Sequence, residues 1–157
     1  RPVKTVVLHA LDLTIEYAEV NQDGQILPAE IAENKSDETL TLTLPRDLSI
    51  GAAQVNITYS GALNKQLRGL YEACHKGETY AFTQFEATDA RRMFPCFDEP
   101  EMKARFSLTV TYPQHLIALS NMPILKEYSE GTTKTTQFDT TPIMSTYLLA
   151  LAIAPLE

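Results

Sequence analysis

The sequence contains no tryptophan, only two cysteines and only six glycines among its 157 residues. Two cysteines cannot supply the dense disulfide framework that small secreted scaffolds use in place of a core. Basic residues are also few, at 13 against 20 acidic residues, and the formal net charge is −7. A basic face that neutralises phosphates is therefore not expected, and nucleic acid is excluded as a predicted partner.

Long apolar runs are absent too. No stretch approaches the roughly 20 residues that span a bilayer, so we predict no membrane span. Residues 1–4 are not followed by a secretory hydrophobic region, and we expect a cytoplasmic protein, with a trimmed signal or anchor as the open alternative. The length is that of one domain, and no repeat or glycine-serine linker divides the chain, so we predict a single domain over residues 1–157.

Cys74 and Cys96 lie 22 positions apart and form neither a Cys-x-x-Cys pair nor a metal-binding cluster. We expect free, buried thiols in a reducing compartment, with a disulfide as the alternative. Two Asn-x-Ser/Thr tripeptides, at Asn34 and Asn56, favour secretion only weakly because such tripeptides often arise by chance.

Alternation of apolar and polar residues is the pattern that recurs, and it predicts half-buried antiparallel β-strands. It covers residues 11–17, 40–44, 53–59 and 106–112. The nearly continuous apolar run 147–154 predicts a strand covered on both faces, while residues 99–105 have room for one helical turn. Hairpin turns or bulges are predicted at Asp23-Gly24, Ser60-Gly61, Lys76-Gly77 and Glu130-Gly131. The predicted fold is all-β, a two-sheet antiparallel sandwich with a saddle-like outline.

Motifs that would make this chain an enzyme by itself are missing. The three histidines, His9, His75 and His115, are dispersed, and none lies in the His-Glu-x-x-His arrangement that presents two imidazoles to zinc. The sequence contains no Gly-x-Ser-x-Gly elbow, no phosphate-binding glycine loop and no cysteine with the neighbours of an activated thiolate. We therefore predict neither a metal site nor a catalytic residue in this chain.

Residues 83–100 carry the most specific signal, and they read Thr-Gln-Phe-Glu-Ala-Thr-Asp-Ala-Arg-Arg-Met-Phe-Pro-Cys-Phe-Asp-Glu-Pro. This run resembles the signature of the N-terminal domain of the aminopeptidase N family of zinc metallopeptidases, which includes the puromycin-sensitive aminopeptidases. The resemblance continues in the family's order through residues 103–106, 119–123 and 142–150. It covers most of the chain after about Gly69, whereas the first 60 residues match only in their strand pattern.

The resemblance implies a β-rich domain packed against a thermolysin-like catalytic domain, which holds zinc through His-Glu-x-x-His and carries a Gly-x-Met-Glu-Asn exopeptidase motif. Neither motif occurs in this chain. The implication is a part of a larger zinc aminopeptidase that removes N-terminal residues from peptides, with no hydrolysis by the fragment alone. The ending Pro155-Leu156-Glu157 fits a cut inside a longer protein, and Leu156-Glu157 is either native or a cloning scar.

Gln84 and Glu86 are the candidate substrate-binding residues. In an extended segment they project from one face, about 7 Å apart, while Phe85 and Ala87 face the other way. A carboxylate in a poorly solvated pocket distinguishes a free α-ammonium group from an amide through a charge-assisted hydrogen bond. Both residues match family positions, which implies ammonium anchoring by Glu86 and substrate positioning by Gln84. Spacing alone leaves the alternative that both are solvent-facing strand residues.

Other conspicuous residues of the signature favour a structural role. Arg91 and Arg92 lie near Asp89, Asp98 and Glu99, and this arrangement predicts ion pairs that fix a loop rather than a substrate clamp. Residues 94–97 predict a rigid packed turn with Cys96 in the core.

Two alternatives to an enzyme fragment stay open. One is a stand-alone β-sandwich that binds peptide ends or a partner protein without catalysis, and the other is a purely structural sandwich. A His-Glu-x-x-His motif and a further zinc-binding Glu encoded in frame after residue 157 would separate the enzyme from the binding module. A purely structural domain predicts no kinetic effect of substituting Glu86 in any parent enzyme.

Overall fold

A computed structural model describes residues 2–155, so the origin of Leu156-Glu157 lies outside the described residues, as does the structure of Arg1. Within that range the strands are β1 (Val3–His9), β2 (Leu13–Gln22), β3 (Gln25–Pro28), β4 (Glu30–Asn34), β5 (Thr39–Leu48), β6 (Gln54–Gly61), β7 (Gly69–His75), β8 (Glu78–Gln84), β9 (Thr109–Pro113), β10 (Ile117–Ser120), β11 (Ile124–Glu130), β12 (Thr133–Phe138) and β13 (Leu151–Ala154). Two short 3₁₀ turns, Ala90–Arg92 and Thr146–Leu148, are the helical elements of this range, and neither approaches the length and apolar character of a membrane-spanning helix. The predicted all-β class is confirmed.

The chain divides into two compact units. The first unit comprises Arg1–Ala62 and Arg91–Phe97, and the second unit comprises Leu63–Ala90 and Asp98–Glu157. Each unit contains two antiparallel sheets, so the sandwich arrangement predicted for the chain occurs within each unit. The prediction of a single domain over residues 1–157 stays a prediction.

In the first unit the sheets have strand orders β1-β5-β4 and β3-β2-β6. Apolar side chains from both sheets meet between them, and those that are buried are Leu8, Ala18, Val20, Leu27, Leu40, Leu42, Leu44 and Leu48. The alternation over residues 40–44 is confirmed, since Leu40, Leu42 and Leu44 are at most 1% exposed. Burying three leucines in one strand contributes roughly 1.5–3 kcal/mol per side chain to the free energy of transfer from water.

Four predicted core residues of the first unit are wrong, because Tyr17 on β2 and Ala53, Val55 and Tyr59 at β6 are exposed. Tyr17 is 48% exposed, whereas Ala18 and Val20, which the alternation from Leu11 would place outside, are fully buried. The pairing of β2 with β6 shifts register between Ile15 and Tyr17, as a β-bulge does. An extra residue at that point exchanges the inward and outward faces of everything that follows in the strand.

In the second unit the sheets have strand orders β10-β13-β8-β7 and β11-β12-β9. Their core contains Tyr112, Leu116, Ala118 and Phe138. The strand predicted over 106–112 begins only at Thr109. Before it, the Phe106 carbonyl already accepts a hydrogen bond from the Thr141 amide, and the Leu108 carbonyl accepts one from the Phe138 amide, both at 2.9 Å. The strand predicted over 147–154 begins only at Leu151, because a 3₁₀ turn occupies Thr146–Leu148.

Three of the four predicted turns are confirmed, and one is wrong. Asp23-Gly24 and Lys76-Gly77 form two-residue hairpin loops with positive φ angles at both residues, and Gly131 has a φ of 58° between β11 and β12. Gly61 instead ends β6 opposite Leu13. A Cβ atom on Gly61 would lie 2.9 Å from Leu13 Cδ2, so this glycine permits close approach of a neighbouring side chain rather than a turn.

Candidate functional site

The two candidate residues lie at the end of β8 in the second unit. The strand ends at Gln84 because residues 86–89 turn, with the Asp89 amide donating to the Phe85 carbonyl at 2.9 Å. Phe85 is 2% exposed, while Gln84 and Glu86 on either side of it are exposed. The predicted alternation therefore holds for residues 84–86. Ala87 is exposed rather than turned inward because it belongs to the turn. The Glu86–Ala87 peptide bond is cis.

The sheet face that leads to Gln84 is apolar. Phe82 precedes Gln84 by two residues on the same strand face, and its ring lies 6.0 Å from that of Tyr71 on β7. These two rings, together with Leu119 and Ala152, line a shallow cavity of about 260 Å³. Gln84 and Glu86 are not among the residues that line this cavity but follow Phe82 along the chain, and their side-chain oxygens can accept hydrogen bonds from a cationic group.

Apart from residues 91–97, which belong to the first unit, the stretches that carry the family resemblance lie in the second unit. The Thr146 hydroxyl donates to Asp98 Oδ1 at 2.7 Å, and both side chains are buried. Ala104 and Met144 exchange main-chain hydrogen bonds of 2.9 and 3.0 Å. Between them, residues 99–105 form a turn in which the Met102 amide donates to the Glu99 carbonyl at 3.0 Å, rather than a helix. Stretches that lie far apart in sequence are therefore joined by specific bonds.

Arg91 and Arg92 belong to the first unit, and both form ion pairs there. Arg91 Nη1 lies 2.8 Å from Glu38 Oε2, and Arg92 pairs with Asp12. The main chain adds a further contact, since the Leu11 amide donates to the Arg91 carbonyl at 3.0 Å. The prediction that both arginines form ion pairs is confirmed, with Glu38 and Asp12 as partners in place of the acidic residues of the signature, while the exclusion of a substrate clamp stays a prediction. Sequence reasoning did not identify Glu38 and Asp12 because they lie 53 and 80 positions from their partners.

Neither cysteine of the described residues forms a disulfide, as predicted, but neither lies in the core, contrary to the prediction. Cys74 is exposed, because it lies on edge strand β7 next to the Lys76-Gly77 turn. Cys96 is half-buried: its main chain pairs with that of His9 through bonds of 2.8 and 3.0 Å, but its side chain keeps part of its surface exposed.

The histidines remain apart from any acidic or thiol cluster that could bind a metal. His115 Nε2 lies 3.9 Å from Glu78 Oε1 on the surface of the second unit. Across residues 2–155, no three or more His, Cys, Asp or Glu side chains come together as metal ligands would. The zinc ion that the resemblance implies therefore has no fitting ligand set in the described part of the chain.

The fold and the joined signature stretches define the N-terminal domain of a peptidase family. Residues 1–148 match the sequence profile of the Peptidase M1 N-terminal domain, and the chain belongs to this family.

Similar proteins carry the name aminopeptidase. Aminopeptidase M1-D of Oryza sativa subsp. japonica is 44% identical over 156 residues, which cover 97% of this chain and 18% of the rice protein. Aminopeptidase N of Acetobacter pasteurianus is 44% identical over 93% of this chain and 44% of its own length. Aminopeptidase 2, mitochondrial, of Saccharomyces cerevisiae is 39% identical over 99% of this chain and 17% of its own length. The chain thus spans less than half of the length of each of these relatives.

Proposed function

We propose that the whole protein is a zinc aminopeptidase that removes N-terminal residues from peptides, and that this chain binds the α-amino group of the substrate. Membership of the M1 family and similarity to proteins named aminopeptidases support the reaction. The observation that carries the chain's own role is the placement of Glu86. Glu86 is exposed directly after Phe85, which is buried. Gln84, on the other side of Phe85, is exposed as well.

Glu86 anchors the ammonium group, and Gln84 positions the adjoining part of the peptide. An exposed carboxylate gains only about 0–1 kcal/mol from a cation because water screens the pair. The same contact is worth several times more once the rest of the protein excludes water around it, and losing one member of such a pair costs about 2–5 kcal/mol. Anchoring is therefore a property of the whole enzyme, and the isolated chain should neither hydrolyse peptides nor bind them tightly.

Zinc belongs to a part of the protein outside this chain, because residues 2–155 offer no fitting ligand set. The metal would supply activation of the attacking water. The role assigned to Glu86 and Gln84 involves no bond to that metal.

The test is the Glu86→Gln substitution in the whole protein. We expect kcat/KM for peptides with a free amino end to fall by about 30-fold or more, since a loss of about 2 kcal/mol corresponds to that factor. Zinc content should stay unchanged. Glu130→Gln is the matched control, because Glu130 is another exposed carboxylate of the second unit, and its kinetics should equal those of the wild type.

A second readout addresses the amine itself. A dipeptide with a free amino end should inhibit the wild-type protein more strongly than its N-acetylated form, and Glu86→Gln should reduce that difference. Wild-type kinetics and undiminished discrimination in Glu86→Gln would refute the anchoring role. Absence of an encoded zinc motif beyond residue 157 would refute the enzyme and favour a stand-alone binding module.

A further inference from the structure

We infer that Thr83, Ser120 and Asn121 form a positioning network that fixes the end of β8, and with it Gln84 and Glu86, against the start of β13. This inference rests on the proposed function of Glu86. None of the three side chains needs to touch the substrate, because they act through the main chain.

Thr83 provides the direct link. Main-chain pairing between β8 and β13 runs only through Ala152 with Phe82 and Ile153 with Ala81. In that register the next residues to face each other are Thr83 and Leu151. There the Thr83 hydroxyl accepts a hydrogen bond from the Leu151 amide at 2.8 Å and donates to the Leu151 carbonyl at 3.3 Å. One hydroxyl thus joins the two strands where their assigned pairing stops.

Asn121 and Ser120 hold the segment that Thr83 binds. Asn121 Nδ2 donates to the Leu148 carbonyl at 2.8 Å, and Asn121 Oδ1 accepts from the Ala150 amide at 2.8 Å. The Ser120 hydroxyl donates to the Ala150 carbonyl at 2.7 Å. These side chains therefore bind main-chain groups of Leu148 and Ala150 at the point where the 3₁₀ turn gives way to β13.

The position of Glu86 depends on this junction because Thr83 is bonded to β13 just before the chain leaves β8. On its other edge Gln84 pairs with Gly69 of β7, so β7 fixes one side of the strand and Thr83 fixes the other. Glu86 lies three residues beyond Thr83, with buried Phe85 between them. Displacement of a substrate-binding group by about 1 Å can cost a hundredfold in rate, so a lost tether has a kinetic consequence.

The network also accounts for stretches of the signature that substrate binding does not use. Thr83 belongs to Thr-Gln-x-Glu, Ser120 and Asn121 belong to the 119–123 stretch, and residues 148–150 close the 142–150 stretch. Their polar side chains are short, as is required to reach a neighbouring main chain. Three separate stretches therefore serve one junction.

The test uses the whole enzyme and the isosteric substitution Thr83→Val, which removes the donor and acceptor but keeps the volume. We expect kcat/KM for free-amine peptides to fall by about ten- to a hundredfold. Thr83→Ser, which keeps the hydroxyl, should restore activity to within about threefold of the wild type. Thr136→Val is the matched control, because Thr136 is a buried hydrogen-bonding threonine in the other sheet of the second unit, and it should leave kcat/KM unchanged.

A double-mutant cycle separates positioning from general destabilisation. If Thr83 acts through Glu86, then Thr83→Val added to Glu86→Gln causes little further loss, whereas an equal loss in both backgrounds overturns the inference. Should Thr83→Val fail to fold, Asn121→Ala gives the same cycle, because exposed Asn121 reaches Glu86 only through residues 148–151. Normal kinetics in Glu86→Gln would refute the proposed function itself, whereas impaired Glu86→Gln with normal Thr83→Val would refute only the network.

Discussion

The substitution Thr136→Val should destabilise the second unit in a pH-dependent manner. Thr136 is completely buried on β12, and its hydroxyl donates to Glu127 Oε1 at 2.8 Å. That single proton is then committed, so the Tyr112 hydroxyl, 2.7 Å away and also buried, donates to Thr136. Lys134 Nζ lies 3.6 Å from the same Glu127 oxygen and 5.5 Å from the centre of the Tyr112 ring. Valine keeps the shape of Thr136 and removes its hydroxyl from this network.

The pH-independent part of the lost free energy of unfolding comes from the hydrogen bond between the buried Thr136 and Tyr112 hydroxyls. It is about 1 kcal/mol of the free energy of unfolding, because in the variant the Tyr112 hydroxyl can donate its proton to Glu127 Oε1, 3.3 Å away, and is not left wholly unpaired. Thr135→Val is the control on the same strand. The Thr135 hydroxyl bonds to the exposed Thr111 hydroxyl in a solvated pair. Removing it should therefore change the free energy of unfolding by no more than about 0.5 kcal/mol.

The pH-dependent loss comes from Glu127. The hydrogen bond from Thr136, followed by the charge of Lys134 and the Tyr112 hydroxyl, holds the pKa of Glu127 below its ordinary value of 4.5, against a smaller opposing effect of burial. A carboxyl whose pKa is lower in the folded state stabilises the fold above its unfolded-state pKa, and this part is lost as the pH falls through the folded-state pKa. Valine removes the largest cause, so wild type and variant should differ more at about pH 7 than at about pH 3.

Urea unfolding of the wild-type and Thr136→Val chains at both pH values measures this difference. The same comparison in the Glu127→Gln background should lose its pH dependence, because no titrating group is left at that position. An equal difference between the wild type and the Thr136→Val variant at both pH values, or a pH dependence that survives Glu127→Gln, would refute the reasoning.

Two further predictions concern the core and the thiols. Leu42→Ala should lower the free energy of unfolding by about 2–5 kcal/mol because Leu42 is fully buried, whereas Leu125→Ala, at a side chain 60% exposed, should change it by less than about 0.5 kcal/mol in urea denaturation; equal losses would contradict the assigned core. Cys74 should react with maleimide in the folded chain faster than half-buried Cys96, both should react in urea, and equal native rates would contradict their assigned exposures.

The strands that sequence predicts well are those whose alternation is not interrupted. Residues 40–44 are one example, since every second residue is a buried leucine. In β2 the same reasoning fails after Ile15, because the bulge is defined by pairing with β6, which lies about 40 residues further along the chain. Local pattern identifies the strand, but only the partner strand shows which face turns inward after the bulge.

Glycines show the same limit. Lys76-Gly77 could be predicted as a turn because both residues adopt positive φ angles that the local hairpin requires. Gly61 also follows a polar residue but lies in a strand, and its reason is the nearby Leu13 side chain. A glycine required by close approach of another strand cannot be predicted from the residues next to it in sequence.

At the candidate site, the sequence predicts which residues face outward but not what holds them. The exposure of Gln84 and Glu86 around buried Phe85 follows from alternation, and the suggestion of a role follows from the family signature. The exposure of Ala87 could not be predicted because the end of β8 depends on the turn that follows. The bonds from Thr83 to Leu151 join residues 68 positions apart, beyond the reach of any local pattern.

Alternation at the end of β8 therefore gives neighbouring residues of the signature different roles. Thr83 and Phe85 lack the exposure of Gln84 and Glu86, and their contacts, a main-chain tether and core packing, serve the fold. Gln84 and Glu86 face solvent, so Gln84→Ala or Glu86→Gln removes little buried surface and should leave stability nearly unchanged. Loss of the Thr83 hydroxyl should lower both stability and turnover, because it removes the hydrogen bonds to Leu151 that position Gln84 and Glu86. Stability and kinetics measured on the same variants thus distinguish residues that bind from residues that position, even where they alternate within one motif.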